Sequence, residues 1–470
     1  MKLQKDEIKE EFEPFFRVCS MVEDVFEADW RDTDEAARSR KLEREKRAII
    51  GYERERNFFQ ERIREILSDR GLQNTSFPPW YRDLAEGVFH EVYGLAGLAP
   101  WAYDATEEYR HSSSAKLIGD RLYCLIDGKS VLQPQRINAK RREQLKRSLL
   151  LASPRERLEE GFHEVYLHNG IRITIFSGER TKPDQDVMVF RKYVLQNLTF
   201  ETLAELETIP ADAVPLFRLL VKIGLNVLIT GPVRSGKTTF LQIWQQEEDP
   251  SLEGLAVATD PETPWHEIMP DAPLMQLIAD GKDLDRLTRS LMRGDNDYIL
   301  LEEMRDAAAY HLALEITATG TMRSKATVHD GSSENIPYKM ASAVQERYGG
   351  NLQSIIAQVF RSFQLVFRFA PEYPDRSRKR LQSIDAYRYD MEQDEVSVHQ
   401  LCRYDASEKQ WLWKADFAWA DGISGVDKKG REWRRMEEII RQLEFRNPLK
   451  GNTVVYPRYY RPAAREGGPE

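Results

Sequence analysis

Leu225-Asn-Val-Leu-Ile-Thr-Gly231-Pro232-Val233-Arg234-Ser235-Gly236-Lys237-Thr238-Thr239-Phe-Leu-Gln-Ile-Trp244 is the stretch whose reading decides the fold. Its apolar run, Val227 to Ile229, reads as a buried parallel strand. Gly231-xxxx-Gly236-Lys237-Thr238 has the spacing of a phosphate-binding loop, and Thr239 to Trp244 reads as the first turns of a helix. The spacing has a chemical cause. Two glycines let the backbone curl so that successive N–H groups point inward at phosphate oxygens, with the helix N-terminus adding its partial positive charge. Lys237 brings a mobile cation and Thr238 a hydroxyl suited to magnesium. Pro232, Val233, Arg234, Ser235 and Thr239 complete the loop. The stretch predicts a bound nucleoside triphosphate with magnesium.

Working outward, a chain of 470 residues exceeds one ordinary core and predicts two or three domains. Hydrophobic content of 41% permits real cores, and 31% charged residues implies long solvated helices. A formal net charge of −9 offers nucleic acid no general attraction, which argues against a DNA-translocating motor. Cys19, Cys124 and Cys402 make neither a metal spacing nor a disulfide framework and suit a reducing cytosol. Met1 to Glu7 lacks the apolar core of a signal peptide. Apolar runs stay short of the roughly 20 residues that cross a bilayer, so any membrane role is expected to be peripheral.

Four regions follow in order. Residues 1–76 are a charged helical extension, with Ile49, Ile50, Phe58, Phe59, Ile63, Ile66 and Leu67 on one stripe. Residues 77–193 form a small α+β domain with an Asp127-Gly128 hairpin turn, a second hairpin through Asn169-Gly170, and a basic helix from Arg136 read as a solvated face. Residues 194–370 hold the α/β core, where strands alternate with helices in the pattern of a doubly wound parallel sheet. Asp260, Glu303 and His329 fall at the carboxyl ends of its strands, where such sheets bind ligands. Residues 371–470 read as a β-rich appendage with an exposed basic turn (Pro371 to Arg380), a separate aromatic cluster (Trp411, Trp413, Phe417, Trp419), a helix and, from Pro448, a disordered tail.

These motifs together resemble the secretion-and-pilus traffic ATPases of type II and type IV secretion systems. The nearer branch is the one that powers type IV secretion and tight-adherence (Tad/Flp) pili. Leu291 to Asp306 is similar to the family's stretch ending in Gly-Glu-x-Arg, which places Glu303 on the Walker B glutamate and Arg305 on the arginine. Thr319-Gly320 and Thr327-Val328-His329 resemble the histidine box. Asn169-Gly-Ile-Arg172 and Val189-Phe-Arg191-Lys192 resemble the amino-domain segments with basic phosphate contacts. Asp260 falls in the acidic box.

The resemblance implies a RecA-like core and catalytic work by Glu303 with Asp260, Glu262, His329 and Arg305. Magnesium falls to Thr238 and Glu303, and phosphate contacts to Arg172 and Arg191. It further implies a hexameric ring of copies at the cytoplasmic face of the membrane, passing motion to a membrane-embedded platform protein. Three departures stand out: Thr259 opens the acidic box in place of an acid, Glu302 stands where glycine precedes the glutamate, and Thr321 replaces a histidine. The first supports an alternative, a nucleotide-gated scaffold that binds ATP and hardly hydrolyses it. Glu302 and Glu303 are neighbours on extended chain, so their side chains are expected on opposite sides.

Overall fold

The computed structural model describes residues 11–31, 35–152, 161–182, 184–192, 198–259, 263–279, 281–291, 296–375, 377–423 and 425–461. They fall into two compact units, Met1–Gln196 and Asn197–Glu470.

In the first unit, the helices Glu13–Arg31, Glu35–Ile50, Glu53–Asp69 and Leu84–Val92 close on Phe15, Phe26, Phe59 and Phe89. Glu53–Asp69 buries Phe59, Ile63, Ile66 and Leu67, spaced four, three and one apart, so one stripe faces its neighbours. The same unit holds a six-stranded antiparallel sheet of β1 (Ser114–Ile118), β2 (Arg121–Ile126), β3 (Lys129–Arg136), β4 (Phe162–Tyr166), β5 (Arg172–Phe176) and β6 (Val187–Arg191), in the order β3-β2-β1-β6-β5-β4. Asp127 and Gly128 turn between β2 and β3 with φ of 48° and 73°, the mirror-image turn that suits strand twist. The basic helix, Ala139–Ala152, departs from the solvated face expected of it, because Arg141 and Arg142 are buried. Arg141 donates to the carbonyls of His90 (3.1 Å) and Gly94 (2.6 Å), and Arg142 to that of Ile137 (3.1 Å). Backbone oxygens left over at the end of Leu84–Val92 are thereby satisfied.

The second unit is built on one ten-stranded sheet: β7 (Val227–Thr230), β8 (Gly254–Ala258), β9 (Leu274–Ile278), β10 (Tyr298–Met304), β11 (Lys325–Val328), β12 (Leu365–Pro371), β13 (Lys379–Asp390), β14 (Glu395–Asp405), β15 (Gln410–Trp413) and β16 (Val454–Val455). Its order is β15-β14-β13-β12-β7-β11-β10-β8-β9, with β16 on β14. From β12 to β9 every pairing is parallel, and beyond β12 it is antiparallel. Side chains alternate between two core layers. Val227, Ile229, Tyr298 and Leu300 enter one; Leu228, Ile299 and Leu301 enter the other. Burial of both faces explains why these strands are apolar without a break.

The sheet runs on past residue 370 without interruption. Trp413, Trp419 and Trp433 join the same core as Val227 and Phe240, so the aromatic residues make no separate cluster. Arg380, expected in an exposed turn, is buried, pairs with Glu372 at 2.6 Å, and lies over Tyr404 and Trp411. The expected disordered tail is packed as far as Arg461: β16 pairs with β14, Tyr459 donates to the Glu334 carbonyl and Tyr460 to Asp394 (both 2.6 Å). Proline and glycine in that segment mark turns between contacts, and its tyrosines supply the apolar area that composition alone undervalued.

Two buried polar devices tie the sheet's amino ends together. Asn226 donates to the carbonyls of Ser362 (2.9 Å) and Thr321 (3.2 Å) and accepts from the Ser324 N–H (2.8 Å), fastening the starts of β7 and β11 to the approach to β12. Lys325 is fully buried, donates to Glu248 (2.5 Å) and Gln245 (2.9 Å), and lies 4.5 Å from the Tyr298 ring centre. Arg323 also grips Glu248. Burial holds the Lys325 ammonium down to about 8, with Glu248 opposing that shift.

Glu248→Gln leaves Lys325 buried without its countercharge and is expected to cost about 1–2 kcal/mol of stability at pH 7, read by denaturant unfolding, since the lysine can shed its proton rather than stay charged and unpaired. A lysine depressed in the folded state holds its proton less tightly there than in the unfolded chain. The deficit against wild type should therefore narrow as pH rises toward about 8 and level off above it, where wild type has shed the same proton. A deficit that widens with pH would contradict this account.

Candidate functional site

The phosphate-loop turn begins where β7 ends. Gly231 has φ 147°, and a Cβ there would lie 2.1 Å from the Phe369 carbonyl oxygen at the end of β12. Only glycine permits that approach. Gly236 (φ 93°) opens the helix Lys237–Gln246, and Arg234 takes φ 63° between them. A left-handed arginine carries roughly 1 kcal/mol of backbone strain, which the surrounding turn enforces. The helix is held down by aromatic packing: Phe240 lies 5.2 Å and Trp244 5.0 Å from Phe367, centre to centre. Pro232, Val233 and Arg234 are exposed, Thr238 and Thr239 half-buried, and Ser235 buried. The Ser235 hydroxyl has no hydrogen-bond partner among the described residues.

Strand order aligns the remaining groups. β11 lies between β7 and β10, so His329, just past β11, stands between Lys237 and Glu303. Lys237 Nζ donates to the carbonyls of Gly231 and Pro232 (both 3.0 Å) and lies 3.2 Å from His329 Nδ1. His329 Nε2 is 2.6 Å from Glu303 Oε1, and Arg305 holds Glu303 Oε2 at 2.5 Å. Burial pushes the Glu303 carboxyl up, but Arg305 and His329 outweigh it and hold the group below its ordinary range. His329 is itself fixed from outside. Lys339 donates to its carbonyl, and the Thr230 hydroxyl donates to the Asp330 carbonyl at 3.0 Å.

Glu302 takes the other side of the strand. It is buried, accepts from Trp265 Nε1 at 2.7 Å, and its carbonyl accepts from the Thr327 hydroxyl at 2.5 Å. Two adjacent acids thus divide the work: Glu302 anchors the core and Glu303 faces the loop.

Asp260 and Glu262 lie outside the described residues, as do 292–295 of the glutamate stretch. Thr259 is exposed just past β8. In the first unit, Arg172 and Arg191 are register partners on β5 and β6. Like charges directly across a ladder repel; Glu164, 2.5 Å from Arg172, offsets this pair. Lys379 falls in the turn expected to be exposed, yet it stands over the loop: the Cβ position of Gly236 is 3.5 Å from Lys379 Cγ. Spacing could not reveal it, because β13 meets the loop only through the sheet.

A second polar constellation is closed. Ser397 Oγ is 2.9 Å from His399 Nε2, and His399 Nδ1 is 2.6 Å from Asp416. The geometry is that of a hydrolytic triad, but Ser397 is 2% and His399 4% exposed, so a substrate has no route to the hydroxyl.

Residues 181–407 match the family described as Type II/IV secretion system protein. Among solved structures, the chain is similar to the VirB11 ATPase of the Brucella suis type IV secretion system, crystallised with sulphate (18% identity, TM-score 0.32, 61% of this chain and 94% of that one). It is also similar to the Legionella pneumophila ATPase DotB (15%, 0.43, 74% and 86%). The pilus retraction motor PilT with bound ADP is a third (14%, 0.41, 72% and 87%). No curated protein matches the chain.

Because Glu302 and Glu303 point to opposite sides, their substitutions should separate. Glu302→Ala should lower the melting temperature by several degrees, since it strands the buried Trp265 N–H. Glu303→Ala should leave the melting temperature within about a degree, because its carboxylate is half-exposed and its partners reach water. Equal thermal losses in differential scanning calorimetry would contradict the assignment of sides.

Proposed function

We propose that this chain, which carries a Type II/IV secretion system protein domain over residues 181–407, binds ATP with magnesium and hydrolyses it to power secretion or pilus assembly. The observation that carries the reading is the line Lys237, His329, Glu303, Arg305, drawn across three strand ends beside the phosphate loop. Phosphoryl transfer asks little covalent chemistry of the protein; positioning and charge neutralisation dominate.

Each group then has a task. The loop N–H groups and Lys237 hold the phosphates, Lys237 exchanging its two carbonyl partners for them. Thr238 and Glu303 are the groups that would hold magnesium. That ion takes one or two protein oxygens and completes its shell with phosphate and water, so an open pair of oxygens suits it better than a closed cage. Bound there, it would neutralise charge on the phosphates. Glu303, kept ionised by Arg305 and His329, orients the attacking water. His329 touches both the lysine and the glutamate, so it registers whether the terminal phosphate is present. Asp260 and Glu262 supply the charge that Thr259 lacks.

In this reading six copies form a ring at the cytoplasmic face of the membrane, and the motion is passed to a membrane-embedded platform protein of a pilus or secretion system. No helix among the described residues is long and apolar enough to cross a membrane. The exposed Thr259 favours one other reading, a scaffold gated by ATP that it hardly hydrolyses.

Phosphate release from the purified protein decides between the two. Lys237→Ala should abolish turnover and nucleotide binding with the fold intact. Glu303→Gln should keep ATP bound while turnover falls about 10²-fold or more, the scale of losing a preorganised charge. Wild-type turnover no faster than Glu303→Gln would favour the scaffold. Nucleotide should also strengthen assembly; sedimentation as a monomer at micromolar concentration, with and without ATP and magnesium, would count against a ring.

A further inference from the structure

The phosphate loop holds a long cationic side chain at a place where its backbone resists one. Arg234 is exposed and sits at φ 63°, a region that glycine enters freely and that asparagine and aspartate tolerate. Two positions on, Gly236 (φ 93°) is covered by Lys379, whose Cγ and Cβ lie 3.5 and 3.6 Å from the Cβ position of that glycine. Lys379 is the first residue of β13, is half-buried, and donates to the Ser377 carbonyl at 2.8 Å. Burial holds its ammonium below the ordinary lysine range; the nearby carboxylate of Asp375 opposes that shift, and the charge of Arg234 adds a smaller lowering. Two cations from different elements are thus brought to the phosphate loop, Arg234 within it and Lys379 over its Gly236. A multiply charged anion at the loop would be attracted by both.

We propose that Arg234 and Lys379 form a cationic rim on the phosphate loop that contacts the bound polyphosphate and makes the site discriminate by ligand charge, favouring a nucleoside triphosphate over a diphosphate. The inference rests on the ATP reading above and adds two contact residues to it. A glycine at 234 would remove both strain and charge, so the strain is retained together with a charge that serves the ligand. Because one cation belongs to β13, the same contact ties the antiparallel half of the sheet to the nucleotide.

Titration calorimetry on the full-length chain, with ATP, ADP and inorganic tripolyphosphate in separate runs, tests this. Arg234→Gly and Lys379→Met should each weaken ATP and tripolyphosphate about tenfold, the scale of one charge-assisted hydrogen bond, and ADP distinctly less. Arg234→Lys should retain most of the affinity. Without nucleotide, Arg234→Gly should melt no lower than wild type, since it removes a strained residue; should the glycine disturb the loop, Arg234→Gln removes the charge alone. ATP affinity within about twofold of wild type in both charge-removing variants, with Lys237→Ala unable to bind, would overturn the rim and leave the nucleotide site standing. Equal losses for ATP and ADP would overturn the charge selectivity. Wild type that binds none of the three ligands would overturn the nucleotide reading itself, and the rim with it.

Discussion

The second unit depends on one helix laid along one strand and fastened at both ends. Lys237, the first residue of the helix, meets His329 just past the carboxyl end of β11, and Gln245 and Glu248, at the far end, hold Lys325 at its start. The two attachments differ in kind. At the start of β11 the charges are closed off from water and paired, where breaking the set costs far more than its net worth. At the other end they face the loop, where a ligand can compete for them. The closed end sets the helix in register with the strand, and that register delivers the lysine to the histidine.

The backbone of the loop imposes the matching constraint from the other side. Gly231 presses on the Phe369 carbonyl at the end of β12, so β7 and its two neighbours jointly define the space the loop can occupy. Asn226 does the corresponding work at the amino ends. Side chains from three strands and one helix can then meet within hydrogen-bond range without any one segment being long. Preorganisation of this kind lets electrostatic groups act without reorganising as charge develops.

Neighbouring residues of like type are sorted by the same geometry. Glu302 and Glu303 differ in nothing but parity along an extended strand, yet one is a buried acceptor for Trp265 and the other an ionised group held by Arg305 and His329. Ser397, His399 and Asp416 show the converse. Their distances suit chemistry, but burial confines them to a structural role. Composition of a site says little until access is known.

By itself the sequence determined the phosphate loop, the glycines it requires, the strands that feed it and the alternation that separates Glu302 from Glu303. All of these rest on local rules: left-handed backbone that only glycine enters easily, apolar runs buried on both faces, and a two-residue repeat. It also marked His329 and Glu303 as residues at strand ends, and the family resemblance marked Arg305. Only the tertiary structure decided that β11 lies between β7 and β10, and so that the three stand in line with Lys237. Strand order is set by which surfaces bury each other, and residues 92 apart leave no trace of that in spacing. The same holds for Arg141, Arg380 and Lys379. Each looks like an exposed cation in sequence, because an arginine or lysine carries its charge on a long apolar stem, and only packing determines whether that stem lies along the core or reaches into water.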